Sequence, residues 1–140
     1  MTLVELMIVL AILAVLASMA WPSFRDSVQR SRRADGMAAL TEIMQSQERW
    51  RANNPSYRAS LTSPEPSWRS VSHDGHYQLS LSDVSATSYT ALATVVSTSP
   101  QTADSRCQVL QLKVDGGNIT YNSLASGNAA NAAPDPCWAK

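Results

Sequence analysis

The chain has 140 residues, with 11 basic side chains against 11 acidic ones and two cysteines. A formal net charge of zero excludes general electrostatic attraction to a polyanion, so charge alone points neither to a nucleic acid nor to an anionic surface. The length allows one modest domain besides any long helix.

The first stretch, Met1-Thr-Leu-Val-Glu-Leu-Met-Ile-Val-Leu-Ala-Ile-Leu-Ala-Val-Leu-Ala-Ser-Met-Ala-Trp21, organises the rest. From Leu3 to Trp21 only Glu5 and Ser18 are polar, and the run holds no Gly or Pro. Its residues favour or tolerate helix, and such a run at ~1.5 Å per residue spans roughly 30 Å, the hydrocarbon thickness of a bilayer. A helix that is apolar all round must be buried in lipid or among other helices. Glu5 spoils the plain membrane reading, because an unpaired carboxylate at that depth costs several kcal/mol. A neighbouring copy, shifted along the axis, offers its Met1 amino group as counter-charge. The sequence therefore suggests helices packed side by side in a staggered bundle.

Thr2, Glu5, the apolar run, and Pro22 followed by Ser23 and Phe24 together resemble the N-terminus of mature type IV pilins. The resemblance covers about the first thirty residues closely. Met1 is a departure, since the family commonly begins with Phe. The resemblance implies an α+β fold, the type IV pilin fold, in which a long N-terminal helix with a protruding hydrophobic half packs on a four-stranded antiparallel sheet. It also implies processing by a prepilin peptidase and N-methylation at Met1, and subunit assembly through Glu5, with Thr2 as a secondary contributor. The subunit would lie in the bacterial inner membrane before assembly, then in an extracellular pilus on the cell surface, as a homo-oligomeric helical filament built by the pilus machinery. Arg25, Arg30, Arg32 and Arg33 follow the apolar run and no basic residue precedes it. Read literally, this charge bias places the domain in the cytoplasm, whereas a cysteine pair argues for an oxidising compartment. A short basic leader, removed before assembly, reconciles the two.

The division expected is residues 1–24 as membrane and filament-core helix and 25–140 as globular domain. Pro22 lacks an N–H and disfavours helix at the residue before it, which predicts a kink or an unwound turn near Ala17–Pro22. An amphipathic helix is expected over 25–52. Met37, Leu40, Ile43, Met44, Gln47 and Trp50 form its stripe, and the charges Arg25, Asp26, Arg30, Arg32, Arg33, Asp35, Glu42, Glu48 and Arg49 fall mostly on other faces. Gly36 weakens that helix by about 1 kcal/mol and suggests close packing. Asn53-Asn54-Pro55 is a stop signal.

Residues 53–75 read as a loop that Tyr57, Leu61 and Trp68 tack onto the core. A sheet follows over 76–121. Its strands are Tyr77–Ser82 by alternation, Tyr89–Val96 and Cys107–Val114 by β-branched content, and a short Asn118–Tyr121 after the turn Asp115-Gly116-Gly117. Residues 122–140 read as coil without a packing pattern. A disulfide between Cys107 and Cys137, worth roughly 3–4 kcal/mol, would have to hold it down.

No catalytic constellation is present, and the chain is read as a non-enzyme without cofactor. His73-Asp74-Gly75-His76 is a polar turn before a strand rather than a metal site, since two His and one Asp make a poor ligand set. Arg30, Arg32 and Arg33 could meet DNA or lipid phosphates, but ion pairing with Asp26 or Asp35 of a neighbouring subunit is favoured. DNA is thus a partner that a local patch allows and the net charge does not support. Asn118-Ile119-Thr120 matches a glycosylation acceptor pattern in a predicted hairpin. Such a filament subunit would support adhesion, twitching motility or DNA uptake. The alternatives are a minor pilin or a type II secretion pseudopilin and, in a different class, a single-pass membrane-anchored binding domain.

Overall fold

The computed structural model describes residues 2–62 and 68–138, with the backbone but not the side chain of Pro22. Its contacts divide into two compact units, Met1–Ser31 and Arg32–Lys140. Element order is a helix α1 (Leu3–Arg51), then strands β1 (Tyr77–Ser82), β2 (Ser88–Val95), β3 (Val109–Asp115) and β4 (Asn118–Leu124), with short 3-10 turns at Pro100–Ala103 and Ser126–Asn128.

In the first unit the helix is bare. Every described residue from Thr2 to Ser27 is exposed, including Trp21 at 70% and Phe24 at 68%. Apolar side chains left open over that length need lipid or other helices to cover them. Length and composition suffice to cross a bilayer. Helical backbone runs unbroken through residue 22, so the unwound turn expected near Ala17–Pro22 is absent here. One missing N–H does not stop a helix that has several turns on either side of it, from Leu3 to Arg51.

In the second unit the rest of α1 lies on one face of a four-stranded sheet in the order β1-β2-β3-β4, all antiparallel. This is the α+β meander expected from the sequence. Alternation sets the core: Tyr77 and Leu79 of β1, Tyr89, Ala91, Ala93 and Val95 of β2, and Leu110, Leu112 and Val114 of β3 meet Leu40 and Ile43 of the helix. At Gly36 the helix packs tightly on the sheet. A Cβ there would lie 3.0 Å from both Leu110 Cδ1 and Tyr77 Cδ2. The turn between β3 and β4 places Gly116 at φ 56° and Gly117 at φ 84°, a left-handed pair that glycine adopts without strain.

The loop after α1 docks as expected, with Leu61 buried and Tyr57 and Trp68 packed against the core. The helix stops at Arg51, where the Asn54 side-chain amide donates to the Trp50 carbonyl at 2.8 Å. Buried Gln47 holds the loop by a reciprocal pair. Its Nε2 donates to the Arg58 carbonyl at 2.8 Å, and its Oε1 accepts from the Arg58 amide at 2.9 Å.

Three expectations need correcting. Arg33 and Asp35 are buried rather than on the solvent face. Arg33 pairs with Asp104, and Asp35 accepts from the Asp74 amide at 3.1 Å. The fourth strand runs on to Leu124, because Asn122 and Ser123 continue the ladder opposite Gln111 and Leu110. The tail is also not patternless coil, since Ala130 bridges back to Leu124 and the Asn131 side chain donates to the Arg106 carbonyl.

Candidate functional site

The N-terminus of α1 carries the residues expected to drive assembly. Met1 lies outside the described residues. Thr2 caps the helix: its Oγ1 accepts from the Glu5 amide at 3.3 Å, and the Glu5 carboxylate accepts from the Thr2 amide at 3.0 Å. This is a capping box, which satisfies two donors that a helix start leaves open. In the lone chain Glu5 is therefore not wholly unpartnered. It neutralises part of the positive helix end, and a neighbour's ammonium would add to that bond rather than supply the first one. Thr2 and Glu5 act as a unit, which the spacing Thr-x-x-Glu could have disclosed.

The disulfide is present. Cys107 and Cys137 are joined across a sequence separation of 30, and both are buried. The bond does not hold the tail alone. Asp135 accepts from the Ser123 hydroxyl at 2.7 Å and from the Cys137 amide at 2.9 Å, while the Asn131 amide donates to the Arg106 carbonyl at 2.8 Å and to Ser123 Oγ at 2.7 Å. Trp138 donates to the Asn122 carbonyl at 2.7 Å and packs at a tilt against Tyr121, with ring centroids 4.7 Å apart. Polar groups thus give the tail a defined path along β4.

The arginine cluster after the apolar run does not act together. Arg30 is exposed and Arg32 half-buried, but Arg33 Nε lies 2.6 Å from Asp104 Oδ2, with side chains 8% and 2% exposed. Gln101 Nε2 donates to the same carboxylate oxygen at 2.9 Å. Arg33 is consumed inside its own chain, which corrects its expected pairing with a neighbour. Burial of the nearby Tyr77 pushes its hydroxyl up to about 12, with Asp104 raising it further and a hydrogen bond to Gln101 opposing. Burial likewise pushes Tyr89 up.

The two histidines do not converge. His73 Nδ1 lies 3.0 Å from Asp74 on the surface, and His76 Nδ1 lies 2.9 Å from Ser99 Oγ. Among the described residues no group of three or more His, Cys, Asp or Glu side chains could hold a metal. Asn118 is exposed at the start of β4.

Sequence reasoning missed an aromatic and basic cluster beside α1. Arg58, 2% exposed, sits over two indoles, its Cζ 4.5 Å from the Trp68 centroid and 5.6 Å from that of Trp50. Cation–π contact accounts for burying a loop arginine there. Two cavities of about 330 and 250 Å³ adjoin this cluster, sharing Ser46, Arg49 and Trp68 in their walls.

An exposed apolar helix that begins with a Thr2–Glu5 capping box, continuous with a helix lying on an antiparallel meander with a disulfide-closed tail, defines a type IV pilin. Residues 1–21 match the prokaryotic N-terminal methylation motif. Residues 22–111 match the family described as type IV minor pilin ComP, DNA uptake sequence receptor, and the chain belongs to that family. Comparison with individual curated proteins returns no significant match.

Proposed function

We propose that this chain is a minor subunit that enters a type IV pilus through its N-terminal helix and engages DNA during uptake. The observation that carries the reading is the unbroken succession of the two family matches. A methylation motif over residues 1–21 runs directly into a minor-pilin match over 22–111 named for a DNA uptake sequence receptor. The bare helix supports assembly, since apolar side chains from Leu3 to Phe24 need lipid first and neighbouring helices afterwards.

In this reading the residue after the leader cleavage is Met1, which becomes N-methylated. Glu5, already bound to the Thr2 amide, takes a neighbour's terminal ammonium, and Pro22 supplies the point at which the helix bends in the bundle. DNA reaches the subunit in spite of zero net charge, so the contact is local rather than a general field. The minor-pilin reading is the alternative that the family match favours over the secretion pseudopilin and the anchored binding domain.

Deleting the gene in its own host tests this reading. Transformation by added DNA is expected to fall by orders of magnitude while surface pili persist. Unchanged transformation would refute the DNA role, and loss of all pili would make the chain a bulk subunit instead.

A further inference from the structure

We infer that the groove lined by Arg49, Trp50, Arg58, Trp68 and Arg69 seats an unpaired DNA strand and contributes affinity without sequence choice, an inference that rests on the DNA reading above. The two cavities share Ser46, Arg49 and Trp68 in their walls, so they lie side by side between the helix and the loop that precedes β1. Their volumes, about 330 and 250 Å³, together fall within the roughly 300–1,000 Å³ of cavities that hold a small organic group.

Charge in the groove departs from the balance of the whole chain. Arg49 and Arg69 are exposed on the walls, and Arg58 lies beneath, against the indoles. Arg49 Nη2 donates to Ser46 Oγ at 3.0 Å, which holds the guanidinium along the helix. Among the described lining residues the narrower cavity has no carboxylate, while Glu42 borders the wider one together with Arg69. Arg49 and Arg69 thus bring two exposed guanidinium groups to the walls of these cavities. Guanidinium groups bind phosphate oxygens in pairs, which suits a nucleic-acid backbone.

The two indoles decide which form of DNA fits. Trp50 and Trp68 are each half-buried and both line the smaller cavity, with the Arg58 guanidinium over one face of each ring. Indole faces stack on nucleobases, and a positive groove interleaved with aromatics is the arrangement that holds single strands. In a duplex the faces of each base are covered by its neighbours, so only the arginines would reach a duplex. An unpaired strand engages both. Stacking accepts every base because each has a π face, so this groove adds affinity to any sequence. Discrimination between sequences must then come from other surfaces of the protein.

The test uses the full chain in non-ionic detergent micelles, with a fluorescent oligothymidylate and the blunt thymidylate–adenylate duplex of the same length as probes. Anisotropy gives affinity and tryptophan quenching reports stacking. The strand is expected to bind about tenfold tighter than the duplex and to quench tryptophan emission. The double variant R49Q/R69Q should weaken strand binding about tenfold or more and lower the salt slope by about 1.4, two phosphate contacts at about 0.7 each. Trp68→Tyr should retain binding and Trp68→Leu lose it, and if Trp68→Leu fails to fold, R49Q/R69Q carries the test alone. Strand binding by R49Q/R69Q equal to wild type, or a duplex that binds and quenches as well as the strand, overturns the inference. If wild type binds DNA but is indifferent to these changes, only the groove assignment falls. If wild type binds neither probe, the DNA reading falls with it.

Discussion

Replacing Asp104 by Ala would break a buried ion pair between the helix and the turn that precedes β3. The Arg33 and Asp104 side chains are 8% and 2% exposed and meet at 2.6 Å. The same carboxylate oxygen accepts from Gln101 at 2.9 Å. Removing it leaves a guanidinium and an amide donor in a dry site. Breaking one member of a buried pair typically costs about 3–5 kcal/mol, a large share of the roughly 5–15 kcal/mol that holds a domain folded. At about 4 °C per kcal/mol for a domain of this size, Tm should fall by about 12–20 °C. The variant Arg33→Met/Asp104→Leu removes both charges and should recover most of that loss, because the pair's net contribution over an apolar replacement is small. Circular dichroism melts of the full chain in detergent measure both. A fall below about 4 °C for Asp104→Ala would mean that water reaches the pair and that the burial argument is wrong. Failure of the double change to recover would mean that the site needs charge for its shape.

Cys107→Ser should cost about 3–4 kcal/mol on the chain-entropy account and raise the protease sensitivity of residues 125–136, whose remaining ties are the hydrogen bonds of Asn131 and Asp135; equal proteolysis of reduced and oxidised wild type would contradict it. Gly36→Ala should destabilise by about 1–3 kcal/mol in a chemical-denaturant titration, although helix propensity alone favours Ala by about 1 kcal/mol, because the new Cβ would meet two fully buried side chains at 3.0 Å; a net gain would show that the core yields there. Tyr77 is pushed up to about 12 by burial, so the folded state favours its protonated form. Stability should therefore hold below pH about 10, the ordinary tyrosine value, then fall, with Tyr77 contributing about 1.4 kcal/mol per pH unit toward its folded value and Tyr89, also pushed up by burial, adding a decline of the same sign. Tyr77→Phe should flatten that decline, and a decline of equal steepness would shift its cause to other groups.

The parts of the fold that repeat were legible in the sequence. The apolar run with its single carboxylate marked the helix, and Tyr77-Gln-Leu-Ser-Leu marked a half-buried strand, because periodicity is what a buried face imposes on a sequence. What escaped were contacts without a period. Arg33 and Asp104 lie 71 residues apart, and Asp104 stands in a turn with no pattern to single it out. Arg58 was passed over because a loop arginine is ordinarily solvated, and only the fold brings two indoles to it. The tail read as coil because its order comes from Ser123, Asn131 and Asp135, whose hydrogen bonds need position rather than hydrophobicity. At the N-terminus the lone carboxylate of Glu5 stood out in the apolar run, but its hydrogen-bond partner within the chain was not read from it. That partner is the Thr2 amide.

The claim that this chain works by entering a pilus through its first helix is tested most directly by mass spectrometry of filaments sheared from cells, comparing wild type with Glu5→Ala. The account predicts wild-type chain in the filaments with Met1 at its N-terminus carrying one methyl group, and Glu5→Ala retained in the membrane fraction but missing from the filaments. Wild-type chain confined to membranes of piliated cells, or Glu5→Ala incorporated at the wild-type level, would contradict it.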